Sequence, residues 1–385
     1  MYKNNIAKLN ALYIVFAPIG RIYEVLQATS LSDIIALVLI LFNIKYLLSY
    51  VKFRRREVIL LVTLTIIGFL SYIANMMTFD FALFLHNLYP LAIFMSGLLL
   101  SANIDTNVLR KVWVILGLVA TFFCLLQTFQ IYTKGYFDNF YIPGLKLLRE
   151  NENIQFRVRP YSFFSEPAHL AIYLLPIFYY SILTKRYILA CIFALGVLCS
   201  GSTTGFLLLG VLYVSSFKIS FKNMLTYTVL AFLVIYLINY FSADILLKNL
   251  DKLEETESDN IRLFGALEYV KYFSFGNWLL GTGFNQVDNF LRSYGVVNYA
   301  GETFVTGNYA PSILFVFICY GLIGEFVFLK YLKKLFLESK KNIGFFIVFL
   351  GVLCSDQVLY NGNLLYLWVL VLVSNFLSCE YKREC

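Results

Sequence analysis

Apolar runs of about twenty residues recur along almost the whole chain, and they leave few folds open to it. A helix that crosses a bilayer needs ~20 mostly apolar residues. Twelve segments approach that length: 10–28, 31–51, 58–77, 81–101, 112–132, 166–184, 187–201, 203–217, 223–243, 309–329, 343–360 and 362–379. Arg21 and Glu24 interrupt the first, and the seventh, eighth and eleventh are short. One water-soluble core cannot absorb this much apolar sequence. Of the 385 residues 60% are hydrophobic and 14% charged, whereas a soluble domain is about 45–50% apolar and about 25% charged. Lipid has to be the solvent for most of the surface. The expected fold is an all-α polytopic membrane protein of about 12 transmembrane helices, forming a single domain over 1–385. The 38 Phe and 29 Tyr suit long interfacial belts.

The formal charge of +8 does not point to nucleic acid, because the basic residues punctuate the apolar runs instead of forming one patch. With the N-terminus inside, the cytoplasmic connections are Lys52–Glu57, Ala102–Lys111, Lys185–Arg186, Lys218–Lys222 and Lys330–Lys341. They carry four, two, two, two and five Lys or Arg, and the short connections on the other side carry none. That alternation is the positive-inside pattern, and it places both termini in the cytoplasm. Two long connections fall outside, 133–165 and 244–308. No cleavable leader is expected, since Met1–Asn10 runs straight into apolar sequence without a small-residue cleavage site. The seven cysteines avoid the long loops and form no CxxC. They read as small apolar residues, and neither a disulfide framework nor a zinc site is expected.

Residues that can do chemistry gather in the outer segments. Phe156–Leu175 reads FRVRPYSFFSEPAHLAIYLL. Pro160 biases Arg159 toward an extended backbone, and residues two apart in an extended chain share a side. Arg157 and Arg159 could therefore grip one anion together, or meet lipid headgroups as interfacial arginines. Ser165-Glu166-Pro167-Ala168-His169 opens a helix, because proline fits the first turn. Glu166 and His169 are three apart and share a helix face. A helix N-terminus favours negative charge and disfavours imidazolium, so an ionised Glu166 and a neutral His169 are both competent bases. A capping carboxylate and an interfacial histidine are the plainer alternative. His86, inside the fourth segment, reads as structural.

Cys199–Gly205 (CSGSTTG) joins the seventh and eighth segments. Its small hydroxyl residues, Ser202 and Thr203 among them, could serve close helix packing or contact a sugar or phosphate. The second long loop begins acidic, then shows helical apolar spacing over Asn260–Phe273, as a helix lying on the bilayer surface would. Leu279–Asn285 (LLGTGFN) places Gly281 and Gly283 where a tight turn, or a backbone close to a ligand, needs them. Asn308 is suited to cap the helix that follows. Arg21 and Glu24 could pair with each other, while Asp33, Lys45, Asp80, Glu325 and Asp356 lie near span ends and can snorkel. No line of charge crosses the membrane centre.

Four stretches in this order resemble the Wzy-type polymerases of O-antigen and capsular repeat units, and the related O-antigen ligases. They are RVRPYSFFSEPAHLA, SGSTTG, Arg262 about twenty residues before LLGTGFN, and GNYAPSILFVFICYGLIG. Ligases usually carry a histidine before the asparagine of the fourth stretch, and here Gly307 precedes Asn308, which favours the polymerase. The resemblance implies a bacterial inner-membrane glycosyltransferase with its active site facing the periplasm. Its donor would be a glycan on undecaprenyl diphosphate, and its acceptor a hydroxyl on a newly flipped lipid-linked unit. It implies Arg157, Arg159 and Arg262 on the diphosphate, and Glu166 or His169 orienting or deprotonating the acceptor. Asn308, Gly281, Gly283, Ser202 and Thr203 would contact substrate. No metal or cofactor is expected. A separate chain-length regulator is a partner that such enzymes usually have.

Overall fold

The computed structural model describes residues 2–26, 29–75, 81–141, 144–147, 159–216, 270–284, 286–295 and 310–384. In chain order the elements are α1 (Tyr2–Gly20), β1 (Tyr23–Leu26), β2 (Thr29–Ser30), α2 (Leu31–Phe42), α3 (Leu47–Phe53), α4 (Arg55–Ala74), α5 (Phe81–Leu100), α6 (Thr106–Lys134) and β3 (Lys146–Leu147). They continue with α7 (Pro167–Leu183), α8 (Tyr187–Cys199), α9 (Thr203–Ser216), α10 (Phe275–Leu280), α11 (Val287–Ser293), α12 (Ser312–Ser339), α13 (Ile343–Ser355) and α14 (Gly362–Glu384). Helices cover ten of the twelve apolar segments for most of their length, and α1 covers the first only as far as Gly20. The ninth, 223–243, lies outside the described residues, as does most of the amphipathic stretch at 260–273.

The chain is a mostly helical, membrane-embedded protein. By length and composition Arg55–Ala74, Thr106–Lys134 and Ser312–Ser355 can cross a membrane. Leu31–Phe42 and Ile44–Phe53, bent by 66°, make a fourth candidate among the described residues. Leu88–Leu100, Pro167–Leu183, Tyr187–Cys199, Thr203–Ser216 and Gly362–Leu377 are shorter apolar helices. The central one is α7, in which every side chain from Leu170 to Ser181 is buried. A helix that is apolar all round belongs inside a bundle. It packs on α8, α9, α13 and α14.

Three features depart from the sequence reading. First, the fold is not purely helical: β1 pairs antiparallel with β2 and with β3 in one small sheet. Because α1 ends at Gly20, Glu24 sits on a strand, where its carboxylate meets Lys146 at 3.6 Å. Second, the second segment breaks at Asn43. The Asn43 side chain accepts from Tyr50 at 2.9 Å and donates to Leu39 O at 2.7 Å and to Asn10 at 3.2 Å. A buried amide that can bond its own backbone competes with the helix. Third, α12 is broken at Gly321, where φ is 63° and ψ −168°.

Connections expected on the same side of the membrane touch one another. At one end Asn10 donates to Asn103 O (2.9 Å), Arg54 to Ser101 O (3.1 Å) and Arg56 pairs with Glu338. At the other end β1 meets β3, and Arg159 meets the α8–α9 turn. The charge pattern of the sequence makes the first the expected inner end and the second the expected outer end.

Candidate functional site

The loop leading into α7 is held by one side chain. Gln127, buried in α6, accepts from the N–H groups of Tyr161 (3.0 Å) and Ser162 (2.6 Å) and donates to Ser162 O (3.0 Å). Three bonds from a single amide fix the backbone at a point where Ser162 takes a positive φ of 58°, a conformation that non-glycine residues adopt uncommonly. The ring of Tyr161 stacks edge-on to Phe137 at 5.2 Å. The chain then enters α7 as its composition requires, with Glu166 extended at the N-cap and Pro167 in the first turn.

The carboxylate of Glu166 is exposed. His169 is half-buried one turn further on, with Nδ1 2.7 Å from Ser165 Oγ. A serine hydroxyl can donate to a ring nitrogen or accept from it, so Ser165 is coupled to the tautomer of His169. Two residues from other helices come within electrostatic reach of this imidazole besides Glu166: Asp356 and Arg21. Asp356 caps the C-terminus of α13. Its backbone carbonyl accepts Ser312 N–H (3.0 Å) and Ser312 Oγ–H (2.7 Å), which ties the start of α12 to the end of α13. Arg21 follows the last residue of α1.

Arg159 is half-buried, and its Nη1 donates to the Gly201 carbonyl at 3.4 Å. Two of the four stretches singled out in the sequence therefore meet directly. The fourth joins them through Ser312 and Asp356. The third approaches as well: Phe284 lies edge-on to Phe315 at 6.2 Å and to Tyr360 at 5.0 Å. Arg157, Arg262 and Asn308 lie outside the described residues, as does the side chain of His86.

Several residues read as substrate contacts have structural work here. Ser202 is buried, and its hydroxyl accepts Gly205 N–H at 3.1 Å, as an N-cap of α9 does. Thr203 opens α9, half-buried. A Cβ on Gly205 would stand 2.6 Å from the Ala171 Cβ, so this motif serves close packing of α9 on α7. Gly281 and Gly283 do permit a close backbone approach, and its target is α12. Thr282 N–H and Gly283 N–H donate to Ile318 O and Cys319 O at 2.9 Å each. These are carbonyls that the break at Gly321 takes out of the helical ladder. The Gly281 carbonyl accepts Ser71 Oγ–H at 2.7 Å.

Sequence reading missed Gln127, whose signal was an amide inside an otherwise apolar run. It also missed that Arg21 and Asp356 share the neighbourhood of His169, since only the tertiary fold joins positions so far apart. Comparison with family models and with curated proteins gives no match. The arrangement itself offers two guanidiniums, two carboxylates and an imidazole at one end of a helical bundle. Such a set can hold an anionic group and accept a proton.

Proposed function

We propose that this chain is a repeat-unit polymerase of the Wzy kind. It would transfer a growing glycan from undecaprenyl diphosphate to a hydroxyl of the next lipid-linked unit, at the outer face of a bacterial inner membrane. Two observations carry this reading: Arg159 meets the Gly201 turn, and Glu166, Asp356 and Arg21 lie within electrostatic reach of His169 at the start of the helix that follows. In this reaction the acceptor oxygen attacks the anomeric carbon and the lipid diphosphate departs with its negative charge. Cations placed where charge develops lower that barrier most. Arg159 serves this role, with Arg157 and Arg262 as further candidates. Glu166 or His169 takes the acceptor proton.

Helix length supports the reading. Both α8 and α13 have 13 residues, about 20 Å at the helical rise, against a hydrocarbon core of ~30 Å. On this reading their outer ends, near Gly201 and Asp356, would lie below the usual headgroup level, where less water strengthens electrostatics on a leaving group.

Deletion of the gene, with the surface glycan run on a gel, tests the proposal. The expected result is collapse of the ladder to core bearing one repeat unit. Polymer retained on the lipid carrier, with bare core, would assign a ligase instead. Single lipid-linked units trapped on the cytoplasmic face would assign a flippase, and the role given to the arginines would fall.

A further inference from the structure

The contact between α6 and α8 contains a feature independent of the glycosyl-transfer reading. Three contacts set its register. Gly117 faces Phe193, with a Cβ there 3.1 Å from that ring. Thr121 faces Gly196, whose added Cβ would lie 2.9 Å from Thr121 Oγ1. The Cys124 thiol lies 3.6 Å from the Gly196 carbonyl. Both residue numbers rise together, so the helices run parallel. Gly196 is the point of closest approach because it has no side chain to hold the backbones apart.

Cys199 follows Gly196 by one helical turn. Side chains on a helix tilt toward its N-terminus, so the Cys199 thiol leans back toward the level of Gly196 and thus toward Cys124. The Thr128 hydroxyl, one turn above Cys124 on α6, donates to the Cys124 carbonyl at 2.8 Å and lies near both thiols. A disulfide needs Cα atoms about 4.4–6.8 Å apart, and helices meeting at a glycine come closest to that spacing. Both cysteines are free in this structure, Cys124 fully buried and Cys199 half-buried.

We propose that Cys124 and Cys199 are a redox-active pair that closes to a disulfide between α6 and α8. Cys199, the more accessible, reacts first with a disulfide or diazene oxidant and becomes joined to it through sulfur. The Cys124 sulfur then attacks the Cys199 sulfur, the S–S bond forms, and the reduced oxidant leaves with the two protons and two electrons given up by the thiols. The closed pair pins the last turn of α8, two residues before the Gly201 carbonyl that receives Arg159.

The test uses full-length protein in detergent, treated with diamide, then alkylated and digested for mass spectrometry. The expected product is a peptide linking Cys124 to Cys199 that becomes the main species containing Cys199. It should disappear with dithiothreitol and never form in Cys124→Ser. Conversion of the exposed Cys191 or Cys354 without any Cys124–Cys199 linkage would show that the reagent reached the protein and would overturn the pair. The result does not depend on whether the chain polymerises glycan.

Discussion

The two ends of the bundle treat their polar groups differently. At the inner end, a chain of side-chain bonds links helices, and Asn10 and Arg54 also reach backbone carbonyls. Tyr50 donates to Asn43, Asn43 to Asn10, and Trp368 to Tyr331, which donates in turn to Glu57. Arg54 is buried there, with Glu57 and Tyr331 within electrostatic reach. At the outer end, Lys146 pairs with Glu24, and other polar groups meet backbone or face out. Arg159 donates to the Gly201 carbonyl, Gln127 grips three backbone groups, and the Glu166 carboxylate faces out. A side chain bonded to a side chain is consumed in holding the fold. Arg54 and Glu57 are buried at the inner end and Glu166 is exposed at the outer end; on the proposed function the first is a clamp that holds the fold and the second would carry the chemistry.

Substitutions should separate the two. The largest effect is expected on the clamp. Glu57→Leu removes the carboxylate that accepts the Tyr331 hydroxyl and lies within electrostatic reach of buried Arg54, and leaving buried groups unsatisfied, one of them charged, costs about 3 kcal/mol or more. Thermal unfolding in detergent should show a large fall in midpoint, and an unchanged midpoint would remove the distinction between the ends. Arg159→Ala comes next and should act on chemistry alone. A loss of about 10²–10³-fold in polymer formation is the expected scale for a group stabilising developing charge, with membrane insertion and melting unchanged. Normal chain lengths in this variant would make the outer end a second clamp. Gly281→Ala should fall between the ends in kind and be smallest in size. Its φ of 75° and the approach of its Cα to the Cys319 backbone leave no room for a methyl group. The strain is about 1–3 kcal/mol, read as lower stability, with any activity loss following the folded fraction.

Much of this architecture is legible without coordinates, because a bilayer imposes a length and a polarity on every span. The runs at 112–132 and 166–184 lie on α6 and α7 for that reason. The Glu166 N-cap and the proline in the first turn of α7 followed from local chemistry. Breaks were harder to see. Gly321 and Gly324 stand three apart in one apolar run, yet Gly321 interrupts α12 and Gly324 packs under Tyr320 within it. The difference lies in a loop some forty residues away that occupies the gap. The β1–β3 pairing was hidden for a similar reason. Two-residue and four-residue strands carry no periodicity, and their partners are more than a hundred residues apart. Of the site, the local motifs could be read, while the meeting of Arg21, Asp356 and His169 could not, because it is a property of helix packing and no single stretch encodes it.

The short span of α8 has a consequence for the lipid around it. Tyr187, Ile188 and Leu195 are exposed, so part of this helix faces acyl chains. Its apolar length falls about 10 Å short of the hydrocarbon thickness. A bilayer meets such a mismatch by thinning around the helix. If α8 spans the bilayer in the proposed orientation, the outer headgroup layer dips beside it, toward the level of Gly201. An amphiphile whose polar head travels with that layer would then be carried toward Arg159 by the shape of the membrane, without having to be lifted out of it.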